Sequence, residues 1–498
     1  MNGEYCVRKL PACIVAAAGP SAPAALWQHS QDMASTWRYC VINVSTLALP
    51  NVPIYDMSMN VRDSEISVWL RSLALSAIIM VSCTCPAGTL YWDGNGSAPP
   101  NPSGTGTWDN TTANWNTAPD YSGSWVSWTD AAGQDIAFFP TNAGTVTVSG
   151  SVTATAIRVQ WTNPAPTCVF TCGTIVLRGE AKIGPSANGN PFINLRIYSE
   201  LSGTNGVYYY WRQDTTLSGS NTYSGDTTIE NYAAHIYVSR AAALPASTIL
   251  SGGGANQGTL CVEDGVTCVV AGIKGMFALQ GESATATPTA TLIIDSLSGT
   301  NTWTGGTTAR EINLVKRGPG SQVFAGVSSR TQYLTVEDGL LILDCATLNS
   351  AIASSRSGAG YYSRITLSGG TMRLGRSEQI QDIAAVTMSG GTFDLNGCSE
   401  SLSNLTIAAS STLDFGPGAA TNIYTNIIWT AGMLTVVNWS GRIGSGGGAD
   451  QFLVLQQPSA SVLSHIRFDG AGKRVLALDR GGYYELVPTA GGTVVQIR

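Results

Sequence analysis

One spacing limits this chain more than any other feature. The stretch Thr366-Leu367-Ser368-Gly369-Gly370-Thr371-Met372-Arg373-Leu374 returns as Thr387-Met388-Ser389-Gly390-Gly391-Thr392-Phe393-Asp394-Leu395. Looser copies follow at 406–415 and 429–436. Met372, Phe393, Leu413 and Leu434 fall in equivalent slots at steps of 21, 20 and 21 residues. Leu374, Leu395, Phe415 and Val436 keep that step two residues later. Apolar residues at i and i+2 share one face of a strand. A step of about 20 residues is too short for a globular domain but suits one coil of a solenoid. The spacing therefore predicts an all-β solenoid with coils of about 20–21 residues, in which Met372, Phe393, Leu413 and Leu434 stack as a single internal column.

Composition agrees. Charged residues make up 12% of the 498, about half the usual share of roughly 25%. Ser, Thr, Asn and 56 Gly fill the difference, and these suit strands and tight turns better than helices. At 44% hydrophobic the chain can build a large core. The net charge is −6, and the five lysines (Lys9, Lys182, Lys274, Lys316, Lys473) form no basic cluster. Nucleic acid is therefore not an expected partner, and neither is an anionic membrane surface.

Residues 1–60 share no pattern with the rest and read as a mis-assigned upstream extension. Residues 61–87 read as a signal peptide: Arg71, the apolar run 73–81, then the small-residue exit Cys83-Thr84-Cys85-Pro86-Ala87. The apolar run falls short of the about 20 residues a bilayer span needs, so an integral membrane helix is not expected. Its internal position implies a true start nearer Met57 or Met59, or close to Leu70. A buried strand or helix is the structural alternative, and lipoprotein cleavage before Cys83 fits poorly. Export favours disulfides. Cys168 with Cys172, and Cys261 with Cys268, could each close a local loop, whereas Cys345 and Cys398 read as isolated buried thiols. No spacing suits a zinc site, and no metal or cofactor is expected.

Residues 88–165 are rich in Trp (Trp92, Trp108, Trp115, Trp125, Trp128), set among turn-forming words such as Trp92-Asp93-Gly94-Asn95-Gly96. An open first coil must cover its apolar end, so this segment reads as an aromatic N-terminal cap with the first strands. A sugar-stacking surface is the functional alternative. Solenoid repeats are expected over 166–488, with a short tail at 489–498.

A second motif, Leu217-Ser218-Gly219-Ser220-Asn221-Thr222-Tyr223-Ser224-Gly225-Asp226-Thr227-Thr228-Ile229, returns 80 residues later as Leu297-Ser298-Gly299-Thr300-Asn301-Thr302-Trp303-Thr304-Gly305-Gly306-Thr307-Thr308-Ala309. It resembles the autotransporter-associated beta-strand repeat, whose consensus runs Leu-Ser-Gly-x-Asn-Thr-Tyr-x-Gly-Gly-Thr-Thr-Ile. The departures are Asp226 for Gly and Ala309 for Ile. Ala243-Leu244-Pro245 and the closing segment around Trp439-Ser440-Gly441 and Glu485-Leu486-Val487-Pro488 look like the same family. The resemblance covers roughly 90–488. It implies a right-handed parallel β-helix in an exported protein of a Gram-negative-type bacterium, at the outer surface or released. The family carries no catalytic residues to transfer. Nothing after Pro488 matches the membrane barrel that ends an autotransporter, so release or a lost anchor is expected.

Four features invite chemistry. Glu263-Asp264-Gly265 recurs as Glu337-Asp338-Gly339, but 74 residues are over three coils, on the order of 17 Å at the strand spacing. That exceeds the glycosidase separation of about 5–9.5 Å, so repeated acidic turns are the better reading. A single Gly446-Gly447-Gly448-Ala449-Asp450 lacks the stacked copies of a calcium repeat. His235 and His465 lie far apart, and no Gly-x-Ser-x-Gly elbow supports a triad. The run Tyr208-Tyr209-Tyr210-Trp211 beside Arg212 is the strongest binding candidate. Strand alternation would expose two of its four rings, and Tyr208, Tyr210 and Trp211 are the residues expected to stack on glycan; stacking inside the coils is the structural alternative. No catalytic residue is assigned. The expected role is a non-enzymatic surface, matrix or adhesive element whose partners are extracellular polysaccharide or cell-surface components. A polysaccharide-binding or polysaccharide-degrading β-helix, a hydrolase or lyase, is the second reading.

Overall fold

A Thr-rich strand of four residues buries only two side chains. Thr371–Leu374 buries Met372 and Leu374, Arg364–Leu367 buries Ile365 and Leu367, and Ala385–Met388 buries Val386 and Met388. Such strands gain a core only by stacking. The corners between them are turned by Ser-Gly-Gly, where Gly370 and Gly391 adopt φ of +59° and +67°. A side chain at Gly391 would also meet the carbonyl oxygen of Gly369 one coil below, so left-handed backbone and close stacking both call for glycine.

The computed structural model describes residues 88–489 apart from short internal stretches, the longest of them 95–103 and 354–362. The segments read from sequence as upstream extension (1–60) and signal peptide (61–87), and residues 490–498 of the tail, lie outside the described residues. The described residues are nearly all β, with 53% strand and 2% helix. No helix among the described residues is long and apolar enough to cross a membrane.

Parallel strands of successive coils form three long sheets. The first runs from Gly88–Trp92 to Ile466–Phe468. The second runs from Gly106–Trp108 to Gly306–Thr307. The third takes over from Thr267–Val270 and runs to Gln451–Val454. One apolar core runs inside the stack from Leu90 to Leu486. This is the β-solenoid the repeat spacing predicts.

Its coil length is corrected to about 23 residues. The 20–21-residue step is a local property of the strands at Thr371, Thr392 and Thr412. Elsewhere loops enlarge the coil, as between Leu340 and Thr371, paired neighbours 31 residues apart. The internal column needs one correction too. Met372 pairs with Phe393 and Phe393 with Leu413, but Leu413 pairs with Val436, and Leu434 stacks on Ser411. The final step is therefore 23 residues, not 21. A slip of two residues keeps every side chain on its own face, so Leu434 and Val436 are both buried.

Both ends of the stack are closed. At the N-terminal end the short strands Trp115–Asn116 and Trp125–Val126 pair antiparallel beneath Gly88–Trp92. Trp92, Trp108, Trp115 and Trp128 are fully buried there with Phe139 and Phe170, and Trp125 keeps partial exposure. The Trp-rich segment is thus an aromatic cap. At the other end Tyr484–Pro488 pairs antiparallel with both Gln451–Val454 and Val475–Asp479, which ends the parallel ladder.

The local loops that Cys168 with Cys172, and Cys261 with Cys268, could close are not closed in this structure, where the six described cysteines stand outside disulfides. Cys168 points into the core, while Cys172 sits exposed at a left-handed corner with φ +61°. Cys261 and Cys268 lie on strands of different sheets.

Candidate functional site

The outer face of the first sheet gathers the aromatic run and two cations from earlier coils. Tyr208 lies in Val207–Tyr209 and pairs with Lys182 in Thr174–Pro185, whose Nζ stands 5.6 Å from the Tyr208 ring centroid. Ala156 is the next neighbour of Lys182 in the same column. In the adjoining column Tyr91 pairs with Phe138, Phe138 with Arg158, and Arg158 with Gly184. The Tyr91 and Phe138 rings are 5.0 Å apart. The Arg158 guanidinium carbon lies 4.9 Å from the Tyr210 centroid, within cation–π range. Parallel register thus converts residues about 25 positions apart into contacts.

The four rings of the run are not disposed by simple alternation. Tyr208 is half-exposed and Tyr209 is fully buried, as a strand requires. The strand then ends. Tyr210 is only 6% exposed; its hydroxyl donates to the Pro185 carbonyl at 2.8 Å. Burial outweighs the favourable Arg158 charge and pushes its phenol up to about 12. Trp211 follows at φ +58° and is half-exposed. Arg212 beyond it stands 5.6 Å from the Phe192 ring. The residues expected to stack on glycan therefore divide: Tyr208 and Trp211 offer ring surface, and Tyr210 is largely covered. Arg158, Lys182 and Phe192 were not found from sequence, because the link to the run is a coil length and not a motif.

Gly184 makes room for Tyr210. A Cβ there would lie 2.7 Å from the Tyr210 carbonyl oxygen and 2.8 Å from its ring Cε1. Gly184→Ala is expected to push the Tyr210 ring off the sheet and to cost about 1–3 kcal/mol by overpacking. A denaturant midpoint unchanged from wild type would show that the ring is not seated on Gly184.

The other features named from sequence are placed as follows. Glu263-Asp264 and Glu337-Asp338 both sit at coil corners, each followed by a left-handed glycine, Gly265 or Gly339. Asp450 is engaged by the protein itself: it accepts from Ala420 N at 2.9 Å and from both N and Oγ of Ser440 at 2.7 Å. His235 Nδ1 lies 3.0 Å from Asp214 on the adjacent coil, a pairing that the 21-residue separation did not announce. Among the described residues no cluster of three or more His, Cys, Asp or Glu could hold a metal.

Compared with known proteins, the chain is similar to the adhesin BmaC autotransporter of Brucella suis biovar 1 (strain 1330), with 34% identity over 158 residues. That stretch is 31% of this chain and 4% of the relative, so the chain spans a small part of the protein it matches. No protein-family model matches the chain. No solved structure matches it.

Proposed function

We propose that the chain is an exported, surface-displayed adhesive β-solenoid of the kind found in autotransporter passengers, working without catalysis. One observation carries this reading: a parallel ladder continues from Gln134–Phe139 to Ile466–Phe468 on one side, in a chain that shares sequence with a protein named an adhesin. Stacked coils at about 4.8 Å each turn chain length into reach. A degrading hydrolase would need converging carboxylates, and a lyase an Arg or Lys beside bound calcium. Glu263 and Glu337 instead belong to separate corner turns.

The test is display and adhesion of the full chain. Antibody against the solenoid should label intact bacteria expressing it, and beads coated with the purified protein should be retained on cell-derived matrix. Labelling only after lysis, or retention no better than albumin-coated beads, would remove the reading.

A further inference from the structure

From the packing of the outer sheet face we infer a binding site for an acidic saccharide, a uronate-type sugar, formed by Tyr208, Lys182 and Arg158. The inference rests on the adhesive reading for its setting but is tested apart from it. The first observation is the arrangement. Three coils present, on one face, Ala156 with Arg158, Lys182 with Gly184, and Tyr208 followed by Tyr210. Neighbouring strands lie about 4.8 Å apart, so a single sugar ring is wide enough to meet the Tyr208 ring and the Lys182 ammonium together. Ala156 and Gly184 are the small positions of this array, and Gly184 is the one Tyr210 occupies.

The second observation is charge. The whole chain carries −6, yet this face brings Arg158 and Lys182 beside the rings, with Glu230 a carboxylate near Tyr210. A neutral sugar needs only the ring faces. A sugar acid also uses the cations, because a carboxylate pairs with guanidinium or ammonium by charge-assisted hydrogen bonds. Arg158 is held against Tyr210, and Tyr210 is held by Pro185, so part of the cost of ordering the guanidinium is met before a ligand arrives. The polymer would run along the solenoid axis, because its successive sugars can follow the columns.

The experiment titrates the full protein with oligogalacturonate and with its methyl-esterified form, which keeps the ring faces and loses the charge. The acid form should bind, with affinity falling as salt rises, and the ester should bind about tenfold or more weakly. Arg158→Gln with Lys182→Gln should weaken the acid form to the level of the ester and leave the ester little changed. Tyr208→Ala should weaken both, and far-UV circular dichroism with a melting curve confirms that each variant is folded. Equal binding of acid and ester, no binding of either, or acid binding indifferent to the Arg158/Lys182 pair would overturn the assignment. If the double variant keeps bead adhesion but loses uronate, the saccharide site stands and adhesion resides elsewhere. If wild type binds uronate but fails to adhere, the adhesive reading falls and this one remains.

Discussion

Trp108→Ala is expected to unravel the first coils of the solenoid and to lower stability by about 3–5 kcal/mol, the usual cost of emptying a buried aromatic site. Trp108 touches four rings, Trp115 at 5.3 Å, Trp128 at 5.1 Å, Phe139 at 5.6 Å and Phe170 at 6.3 Å, mostly edge-to-face. Phe139 and Phe170 belong to strands of the coils above, while Trp115 and Trp128 come from the cap. The residue therefore joins the cap to the ladder. In a stack where each coil contacts only its neighbours, an opened end propagates inward until a well-packed coil stops it. The loss should accordingly be local. Near-UV circular dichroism of the tryptophans should collapse, and amide exchange should rise over 106–171 while 364–436 stays protected. Trp125→Ala, which removes a ring with partial exposure, serves as the control and should change little. Uniform loss of protection along the chain would mean that the solenoid unfolds as one unit and that the cap is not its separable boundary.

The same contrast shows what sequence could and could not reveal. A column is legible where coil length is constant, as from Met372 through Phe393 to Leu413, because identical slots recur at identical intervals. Legibility stops where a loop changes length without disturbing the core. At Leu434 a two-residue slip satisfies the inside–outside alternation equally well, so hydrophobicity alone does not choose between Leu434 and Val436. The two copies of the longer motif make the point again. Leu217 is buried and Leu297 is 73% exposed, although Tyr223 and Trp303, six residues on, are both fully buried. Trp303 is fixed by its indole donating to the Phe277 carbonyl at 3.0 Å, and Tyr223 by its hydroxyl against Thr227 Oγ1 at 2.6 Å. The anchor of the motif is its aromatic, and the leading leucine is free to differ. The candidate site was half legible. The aromatic run announces itself, but its cations arrive from other coils at separations set by loops. Lys316 was likewise hidden: it turns inward and its ammonium donates to the carbonyls of Arg317, Gly318 and Asp338 at 2.8, 2.7 and 3.2 Å, a corner clasp that no pattern marks.

Glu400 is the second position where a large effect is expected, and its sign with pH is fixed by burial. The side chain is fully inside the solenoid, in register with the equally buried Asn422. Its Oε2 accepts from the backbone N–H groups of Gln379 at 2.8 Å and Ile380 at 3.1 Å, and its Oε1 from Ser401 N at 3.2 Å. Burial raises the carboxyl well above the ordinary glutamate range, and the Glu378 charge adds to the rise, while those three donors oppose it. Cys398 and Tyr424 lie near it and are themselves raised, first by burial and then by the Glu400 carboxylate. Because the folded carboxyl holds its proton more tightly than the unfolded one, its contribution is fullest below the unfolded value of about 4.3. It is lost as pH rises through the folded value. Glu400→Gln keeps an oxygen for Gln379 and Ile380 without a charge to bury. It should remove this part of the pH slope and leave stability at neutral pH equal to or above wild type. Glu400→Ala strands buried donors, each costing about 1–3 kcal/mol, and should lose about 3 kcal/mol or more at every pH. Melting curves of the three proteins from acid to mildly alkaline pH decide the matter. If the Gln variant shows the same slope as wild type, the carboxyl titrates alike in the folded and unfolded chain, and the three N–H donors offset burial.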